Sequence, residues 1–274
     1  MQVPVKHVNL PYNLTIMKIV YSIFLAVVNV CGATAFAAQG DWADDNQFSL
    51  SAGFDYSSGK YGTINSAEML SIPSAGENET GQWMFKVAVP YARISGEGGA
   101  ANAGGHIGAI GAAKDTRSAI NDTVAAASYN IYSGSASKFG IDITGKVKLN
   151  TVGMRAGNGK NDYAAQADAY QSFNKFTAIG SFGYKVLGRS DNINMNKVFY
   201  GSFGGSYRLD DNMHGGVDLN LSQGSSISGA GHRELSAYVS RKINKNFKAK
   251  GYVLKGLSNG SPDSSLGAQV HYGF

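Results

Sequence analysis

The serine of Ser258-Asn259-Gly260 offers a hydroxyl that could act as a nucleophile in hydrolysis. A serine hydroxyl is a weak nucleophile unless a base lies beside it to accept its proton. Gly256, two residues earlier, cannot supply that base. Asp162 and Asp168 could act as paired acids, but no histidine-bearing motif accompanies them. We therefore predict no catalytic residues and no enzyme, and we keep hydrolysis through Ser258 or Asp162 as the least favoured alternative.

A glycine-rich segment and four scattered histidines could indicate a phosphate or metal site. Residues 153–161 (GMRAGNGKN) have the glycines and the lysine of a phosphate-binding loop. However, five residues rather than four separate the outer glycines, and asparagine rather than serine or threonine follows the lysine. The histidines lack ligand spacing and a cysteine partner: His106, His214, His232 and His271. We therefore interpret 153–161 as a surface loop and predict no metal and no cofactor.

Six polar side chains offer a different chemistry, because they bring both signs of charge into two neighbouring segments. Apolar and polar side chains alternate along residues 139–150 and again along residues 162–169. Successive side chains of a β-strand point to opposite faces, so the six share one surface if these segments pair. They are Asp142, Lys146, Lys148, Asp162, Gln166 and Asp168. Such a surface could be a salt-bridged filling that holds the wall in shape, or a polar pore lining that selects solutes.

The same alternation, with a period of two, runs through most of the chain. Eleven segments show it clearly, and one further segment, 64–73, shows it weakly. The clear segments are 48–56, 83–91, 125–131, 139–150, 162–169, 176–186, 199–209, 213–221, 235–239, 247–253 and 266–274. Clusters of Gly, Asn, Asp and Ser separate them. None of the eleven apolar faces carries a charge.

Uncharged faces on so many segments indicate contact with lipid. A lysine or arginine that faces the middle of a bilayer costs about 2–4 kcal/mol, so hydrocarbon excludes it. A soluble sandwich would carry more Lys and Glu on its outer face than the Ser, Thr, Gly, Asn and Gln seen here. Because lipid offers no partner for free backbone groups, the sheet must close. The sequence therefore predicts an all-β fold over residues 38–274: a transmembrane antiparallel up-and-down β-barrel of about 12 strands in the bacterial outer membrane.

The connections between segments support a barrel of this kind. Tight turns lie at 173–175, 210–212 and 244–246. Longer links lie near 96–122, 150–161, 187–196, 222–232 and 256–264. Short turns at one end and long loops at the other are typical of outer-membrane barrels. The link 97–122 lacks a strand pattern, and we predict a loop that is mobile or folds inward as a constriction.

The first residues have the pattern of a secretory signal peptide. Lys18 precedes an apolar run from Ile19 to Val30, and residues 33–37 (ATAFA) give a small-x-small exit. This run is too short to cross a bilayer comfortably as a permanent helix. We predict that residues 1–37 are a cleaved signal peptide, with Met17 as the better candidate for the true start.

The mature chain that remains has little net charge and no thiol. Lys6 and Lys18 leave with the signal, so 24 basic side chains become 22 against 19 acidic ones. That excess is too small to indicate nucleic acid as a partner. Cys31, the only cysteine, also leaves, so disulfides cannot stabilise the exported protein.

Most of the mature chain resembles the outer-membrane family labelled "MetA-pathway of phenol degradation", whose members are often called transporters. The similar stretches, in order, are FSLSAGFDYSSGKYG (48–62), TGQWMFKVAVPYARISG (80–96), ITGKVKLNT (143–151), GNGKNDYAAQADAYQSF (157–173), IGSFGYKVLG (179–188) and GLSNGSPDSSLGAQVHYGF (256–274). Asn150 departs from the family, which tends to have proline there. The resemblance implies that small aromatic or other apolar molecules cross the outer membrane through the barrel.

Two functions are favoured over hydrolysis. The first is a passive channel for small organic solutes. The alternative is a structural or surface-interaction barrel with a plugged lumen. In either case we expect contact with outer-membrane lipid and lipopolysaccharide. We also expect the barrel-assembly machinery to recognise the C-terminal strand, which ends at Phe274.

Overall fold

A computed structural model describes residues 48–61, 65–97, 114–120, 122–134, 138–149, 161–188, 197–224 and 230–274. The strands in these ranges are β1 Phe48–Gly59, β2 Ala67–Ile72, β3 Ser74–Thr80, β4 Trp83–Ala88, β5 Tyr91–Glu97, β6 Lys114–Ile120, β7 Thr123–Gly134, β8 Phe139–Leu149, β9 Asp162–Phe173, β10 Phe176–Val186, β11 Val198–Asp210, β12 Met213–Ser222, β13 His232–Lys242, β14 Phe247–Gly256 and β15 Ser264–Gly273. Among the described residues, no helix is long and apolar enough to span a membrane. The predicted signal peptide, residues 1–37, lies outside the described residues.

The fifteen strands make twelve crossings of one wall, because three crossings are each broken into two strands. β2 and β3 form one such crossing, and β1 pairs with both along its length. β4 with β5, and β6 with β7, form the other two. The three breaks lie side by side in adjacent crossings, and Pro73 and Pro90 occupy two of them. Proline has no N–H to give to the ladder, so strand pairing is interrupted there.

The wall closes because its first and last strands pair. β1 and β15 are antiparallel, and their register runs without interruption from Ser49–Gly273 to Ser58–Ser264. Every other pairing of described strands is antiparallel too, and successive crossings are neighbours. Closure leaves no edge of unpaired backbone groups facing lipid. The predicted up-and-down barrel of about 12 strands is confirmed.

Apolar side chains cover the outer face of the wall, and polar ones are buried inside. Phe203 in β11 is 70% exposed, whereas Asp218 on the inner face of β12 is 1% exposed. Aromatic rings contact one another near both ends of the barrel, as in the pairs Phe48–Phe274, Trp83–Tyr129 and Tyr184–Phe199. An apolar band between aromatic girdles is the arrangement that a bilayer requires.

Contacts that skip a strand show which face is the inner one. The Tyr252 hydroxyl on β14 donates to Asp55 on β1 at 2.9 Å, across β15. Asn130 on β7 donates to the Tyr170 hydroxyl on β9 at 3.2 Å, across β8. Side chains can reach past a neighbouring strand only on the concave side of a curved wall. The polar faces therefore point into the barrel.

The connections follow the predicted alternation of short and long. Tight turns join β9 to β10, β11 to β12, and β13 to β14, where the sequence predicts them. Long links at the other end cover 150–161, 187–197, 223–231 and 257–263. Short turns face the periplasm and long loops face outward in barrels of this kind.

Three strands, β3, β5 and β6, lie wholly or almost wholly outside the predicted segments. β6 lies inside the segment 97–122, which was expected to be a loop without strand structure. Its backbone pairs with β5 from Tyr91–Ile120 to Glu97–Lys114, although KDTRSAI has no apolar alternation. β3 (SAGENET) continues the weak segment 64–73 and was missed for a similar reason. Gly76 lies on the outer face of β3, and a Cβ added to it would lie 3.5 Å from the Leu50 side chain. Leu50 therefore covers this part of the outer face, and β3 needs no apolar side chain there.

Candidate channel lining

Pairing of β8 with β9 brings the six predicted lining residues together. Lys148 lies opposite Asp162, and Asp142 lies opposite Asp168. The remaining two, Lys146 and Gln166, lie between these pairs on the same inner face. Along β9 the inner side chains are more buried than the outer ones, as the period of two requires.

Lys148 bridges two carboxylates from different parts of the wall. Its Nζ lies 2.8 Å from Asp162 Oδ2 and 3.1 Å from Asp122 Oδ2, just before β7. The backbone N–H of Gly188 donates to the other oxygen of Asp162 at 2.8 Å. Burying a charge is costly unless the charge is paired and hydrogen-bonded. This bridge therefore ties β8, β9 and the break before β7 to one another.

A chain of hydrogen bonds runs beside this bridge. Lys146 Nζ donates to Gln166 Oε1 at 2.7 Å, and Gln166 Nε2 donates to Asp168 Oδ1 at 2.6 Å. Asn130 Nδ2 donates to Asp142 Oδ1 at 2.6 Å. Hydrogen bonds to ionised groups are the stronger kind, so these contacts fix the orientation of both acids.

Two lining residues, Lys185 and Tyr200, were not in the predicted set. Lys185 Nζ lies 5.5 Å from the centre of the Tyr200 ring, and Lys146 Nζ lies 5.9 Å from it. The alternation of 176–186 already places Lys185 on the inner face, so the sequence carried that signal. The contact between Lys146 on β8 and Tyr200 on β11 depends on the curvature of the wall, which alternation does not specify.

Other inner clusters lie on the part of the wall around β1. Asp55 Oδ2 accepts hydrogen bonds from Tyr252 at 2.9 Å and from Ser265 at 2.8 Å. Glu77 on β3 and Lys86 on β4 form an ion pair at 2.6 Å. Mixed charges therefore occur around the inner surface and not only on β8 and β9.

Tyr61 lies just beyond the end of β1 and is almost fully buried. Its hydroxyl donates to Ser57 Oγ at 2.8 Å. Burial raises the pKa of the Tyr61 phenol. The group therefore stays a neutral hydrogen-bond donor over the ordinary range of pH.

Four inward tyrosines lie flat against the wall, each over a glycine on the neighbouring strand. In each pair, a Cβ added to the glycine would overlap the tyrosine ring. The pairs are Tyr170–Gly140, Tyr200–Gly183, Tyr238–Gly216 and Tyr252–Gly267. Glycine thus lets a large ring lie against the backbone, so the polar interior also contains aromatic surface.

Among the residues that the structure describes, no catalytic arrangement surrounds the Ser258 hydroxyl. Ser258 Oγ donates to the Gly231 carbonyl at 2.8 Å and accepts from the Arg233 N–H at 3.0 Å. The Ser261 hydroxyl lies 3.1 Å away. These groups cannot take a proton as a base, and they hold the loop against β13. Within the described ranges, no group of three metal-ligating side chains comes together.

Solved structures of bacterial outer-membrane proteins share this fold. The "COG4313 outer membrane channel from Pseudomonas putida F1" has a TM-score of 0.68 at 12% identity, over 84% of this chain and 96% of that one. The KdgM porin has a TM-score of 0.52 at 13% identity, over 82% and 99%. The translocator domain of the autotransporter NalP from Neisseria meningitidis has a TM-score of 0.53 at 11% identity, over 94% and 99%.

No family model and no curated protein matches the chain. The resemblance to the phenol-degradation family therefore stays a prediction. At 11–13% identity, the likeness to solved structures shows the fold alone. The closed antiparallel wall, its apolar outer belt and its structural neighbours together identify the chain as a β-barrel of the bacterial outer membrane.

Proposed function

We propose that this barrel is a passive channel for small organic solutes. The observation that carries the proposal is the inner surface, which holds carboxylates, ammonium groups and amides on many strands of a twelve-stranded wall. A barrel of this size lies between filled eight-stranded barrels and open sixteen-stranded porins. A charged inner surface in such a barrel can replace part of the hydration of a solute that passes.

The solute class is the finer part of the proposal. We infer small organic molecules, including aromatic ones. The family resemblance implies such molecules, and the four inward tyrosines offer ring faces to them. Two of the structural neighbours are named as an outer-membrane channel and a porin, which supports the proposal of a channel here. A channel of this kind needs no catalytic residue, and we propose that the protein is not an enzyme.

Flux through reconstituted protein tests the channel. Purified barrel is placed in liposomes and in planar bilayers, and ion conductance and the uptake of benzoate and benzyl alcohol are measured. We expect conductance steps and solute flux above those of protein-free liposomes. Folded protein that gives neither conductance nor flux contradicts the channel.

One observation favours the alternative of a structural or surface-interaction barrel with a plugged lumen. Several inner side chains have almost no solvent contact, since Asp168, Asp218 and Glu234 are each 1% exposed. A lumen filled by its own side chains would look like this. The same reconstitution decides between the two, because a filled barrel gives stable folded protein and no flux.

We also propose two partners in the cell envelope. Outer-membrane phospholipid and lipopolysaccharide would contact the apolar belt. The assembly machinery would recognise β15 and Phe274, a residue that is 60% exposed.

A further inference from the structure

Two inner lysines flank a small residue on one hydrogen-bonded row of the wall. Lys146 on β8 lies opposite Ala164 on β9, and Lys185 on β10 lies opposite the same alanine. Neighbouring strands are about 4.8 Å apart, so the two lysine backbones are separated by roughly 10 Å. Ala164 has only a methyl group and is partly accessible to solvent. The row therefore has a recess between two ammonium-bearing side chains.

Neither of these lysines is neutralised in the way that Lys148 is. Lys148 has carboxylate oxygens at 2.8 and 3.1 Å. Across the described part of the chain, Lys146 and Lys185 have no carboxylate within ion-pair distance. The nearby acids already have other partners, because Lys148 and Gly188 bind Asp162, and the Gln166 amide binds Asp168.

A hydroxyl without a partner lies at the same place. Tyr200 is 7% exposed, and among the described residues no group hydrogen-bonds to its hydroxyl. Both ammonium groups lie within 6 Å of the centre of its ring, at 5.5 and 5.9 Å. A buried hydroxyl that lacks a partner is costly, and a ligand with an acceptor oxygen would remove that cost.

We propose that Lys146, Lys185 and Tyr200 bind the carboxylate of a small solute in the recess above Ala164. A carboxylate has two acceptor oxygens, so it can accept from both ammonium groups and from the hydroxyl. Its charge would offset the repulsion between the two lysine cations. This site deepens the proposed channel function, since only a working channel would make the bound carboxylate a transported solute.

Binding to the detergent-solubilised barrel tests the site without any need for flux. Isothermal titration calorimetry is run with sodium benzoate, sodium acetate and benzyl alcohol. We expect saturable binding of benzoate and no saturable binding of benzyl alcohol, which lacks the charge. Acetate shows whether the carboxylate alone is enough, and its affinity relative to benzoate measures what the ring of the solute adds.

Three variants test the residues that form the recess. We expect Lys185→Gln and Lys146→Gln to weaken benzoate binding about tenfold or more, as loss of a hydrogen bond to a charged group would. Ala164→Leu should do the same while it keeps every charge, because the larger side chain fills the recess. Heat-dependent migration on gels checks that each variant is folded.

Lys250→Gln is the matched control. Lys250 also lies over an inward tyrosine, with its Nζ 4.4 Å from the centre of the Tyr238 ring. Its loss should leave benzoate affinity unchanged. Absence of benzoate binding to the wild type, equal weakening in Lys250→Gln, or unchanged affinity in all three recess variants would each overturn the site. Benzoate binding without flux contradicts only the channel, and flux without benzoate binding contradicts only the site.

Discussion

The inward tyrosines depend on the absence of a side chain opposite them. Tyr238 on β13 lies against Gly216 on β12, and a Cβ at position 216 would stand 2.5 Å from two of its ring atoms. A contact that short forces the ring to move. Packing at the inner surface is therefore specified by which residue is glycine as well as by which residue is large.

We expect Gly216→Ala to lower the free energy of unfolding by about 1–3 kcal/mol, the usual cost of overpacking. Urea titration of the barrel in lipid vesicles measures it. Gly251→Ala is the matched control on the outer face, where nothing lies within 4 Å of an added Cβ. Its effect should stay within about 0.5 kcal/mol. Equal losses in the two variants would contradict the role of Tyr238 packing.

At this scale, the sequence predicts which side chains face inward better than it predicts what they contact. Alternation identified the inner face of β8 and β9, because side chains at every second position of a strand point to the same face. The pairing of Lys148 with Asp162 follows from strand register. The approach of Lys146 to Tyr200 crosses three strand positions and needs the curvature of the closed wall. That curvature is a property of the whole sheet and has no local sequence signal.

Among the strands, those with an apolar outer face were the ones that the sequence could reveal. β10 and β11 each present phenylalanine to lipid, and both were predicted. β3 has glycine and polar residues at its outer positions and is recognised only by its pairing with β1 and β4. β6 likewise is defined by its ladder with β5. Backbone pairing thus brings segments into the sheet even when their side chains do not alternate between apolar and polar.

The last strand, β15, carries an aromatic terminus that also contacts the first strand. The Phe274 N–H donates to the Phe48 carbonyl at 3.0 Å, and the two rings are 5.4 Å apart. The Tyr272 and Phe274 rings meet edge to face at 4.9 Å. These contacts add to stability, but the exposed ring is also what an assembly factor could bind.

We expect Phe274→Ala to reduce the folded barrel in outer-membrane fractions by several-fold, while its stability in detergent falls by only about 1–3 kcal/mol, the contribution of two aromatic pairs. Phe274→Tyr, which keeps a ring, should assemble normally. Gel migration of heated and unheated membrane fractions gives the folded amount. A loss in cells that is no larger than the loss in detergent would contradict recognition of this residue by the assembly machinery.

Across the whole molecule, the uncharged belt was the feature that the sequence predicted best. Every crossing contacts the same hydrocarbon and must exclude charge from its outer face. The sequence shows this exclusion as a repeated pattern. Closure also follows, because an open edge in lipid leaves backbone groups unpaired. The sequence did not predict that the three breaks lie side by side. Pro73 and Pro90 mark two of the breaks, but nothing in the sequence shows that these positions are neighbours in the wall.

A charge in the belt tests whether hydrocarbon surrounds it. Phe203 is 70% exposed in the middle of β11. We expect Phe203→Lys to cost about 2–4 kcal/mol in lipid vesicles, measured by guanidinium titration. Phe203→Leu keeps the site apolar and should cost much less. A lysine that is tolerated as well as leucine would contradict a lipid-facing belt, as would a stable wild-type monomer without detergent.

The pairing of β1 with β15 also governs when the protein can finish folding. The Ser265 hydroxyl donates to Asp55 across 210 residues of sequence, and the ladder that carries this bond joins the first strand to the last. Contacts between such distant residues slow folding, because the chain must lose much conformational freedom before they form. No partly exported fragment has both halves of this ladder. Until β15 pairs with β1, the growing sheet has two edge strands with unpaired backbone groups. The chain is therefore most prone to aggregate in the interval between export and closure.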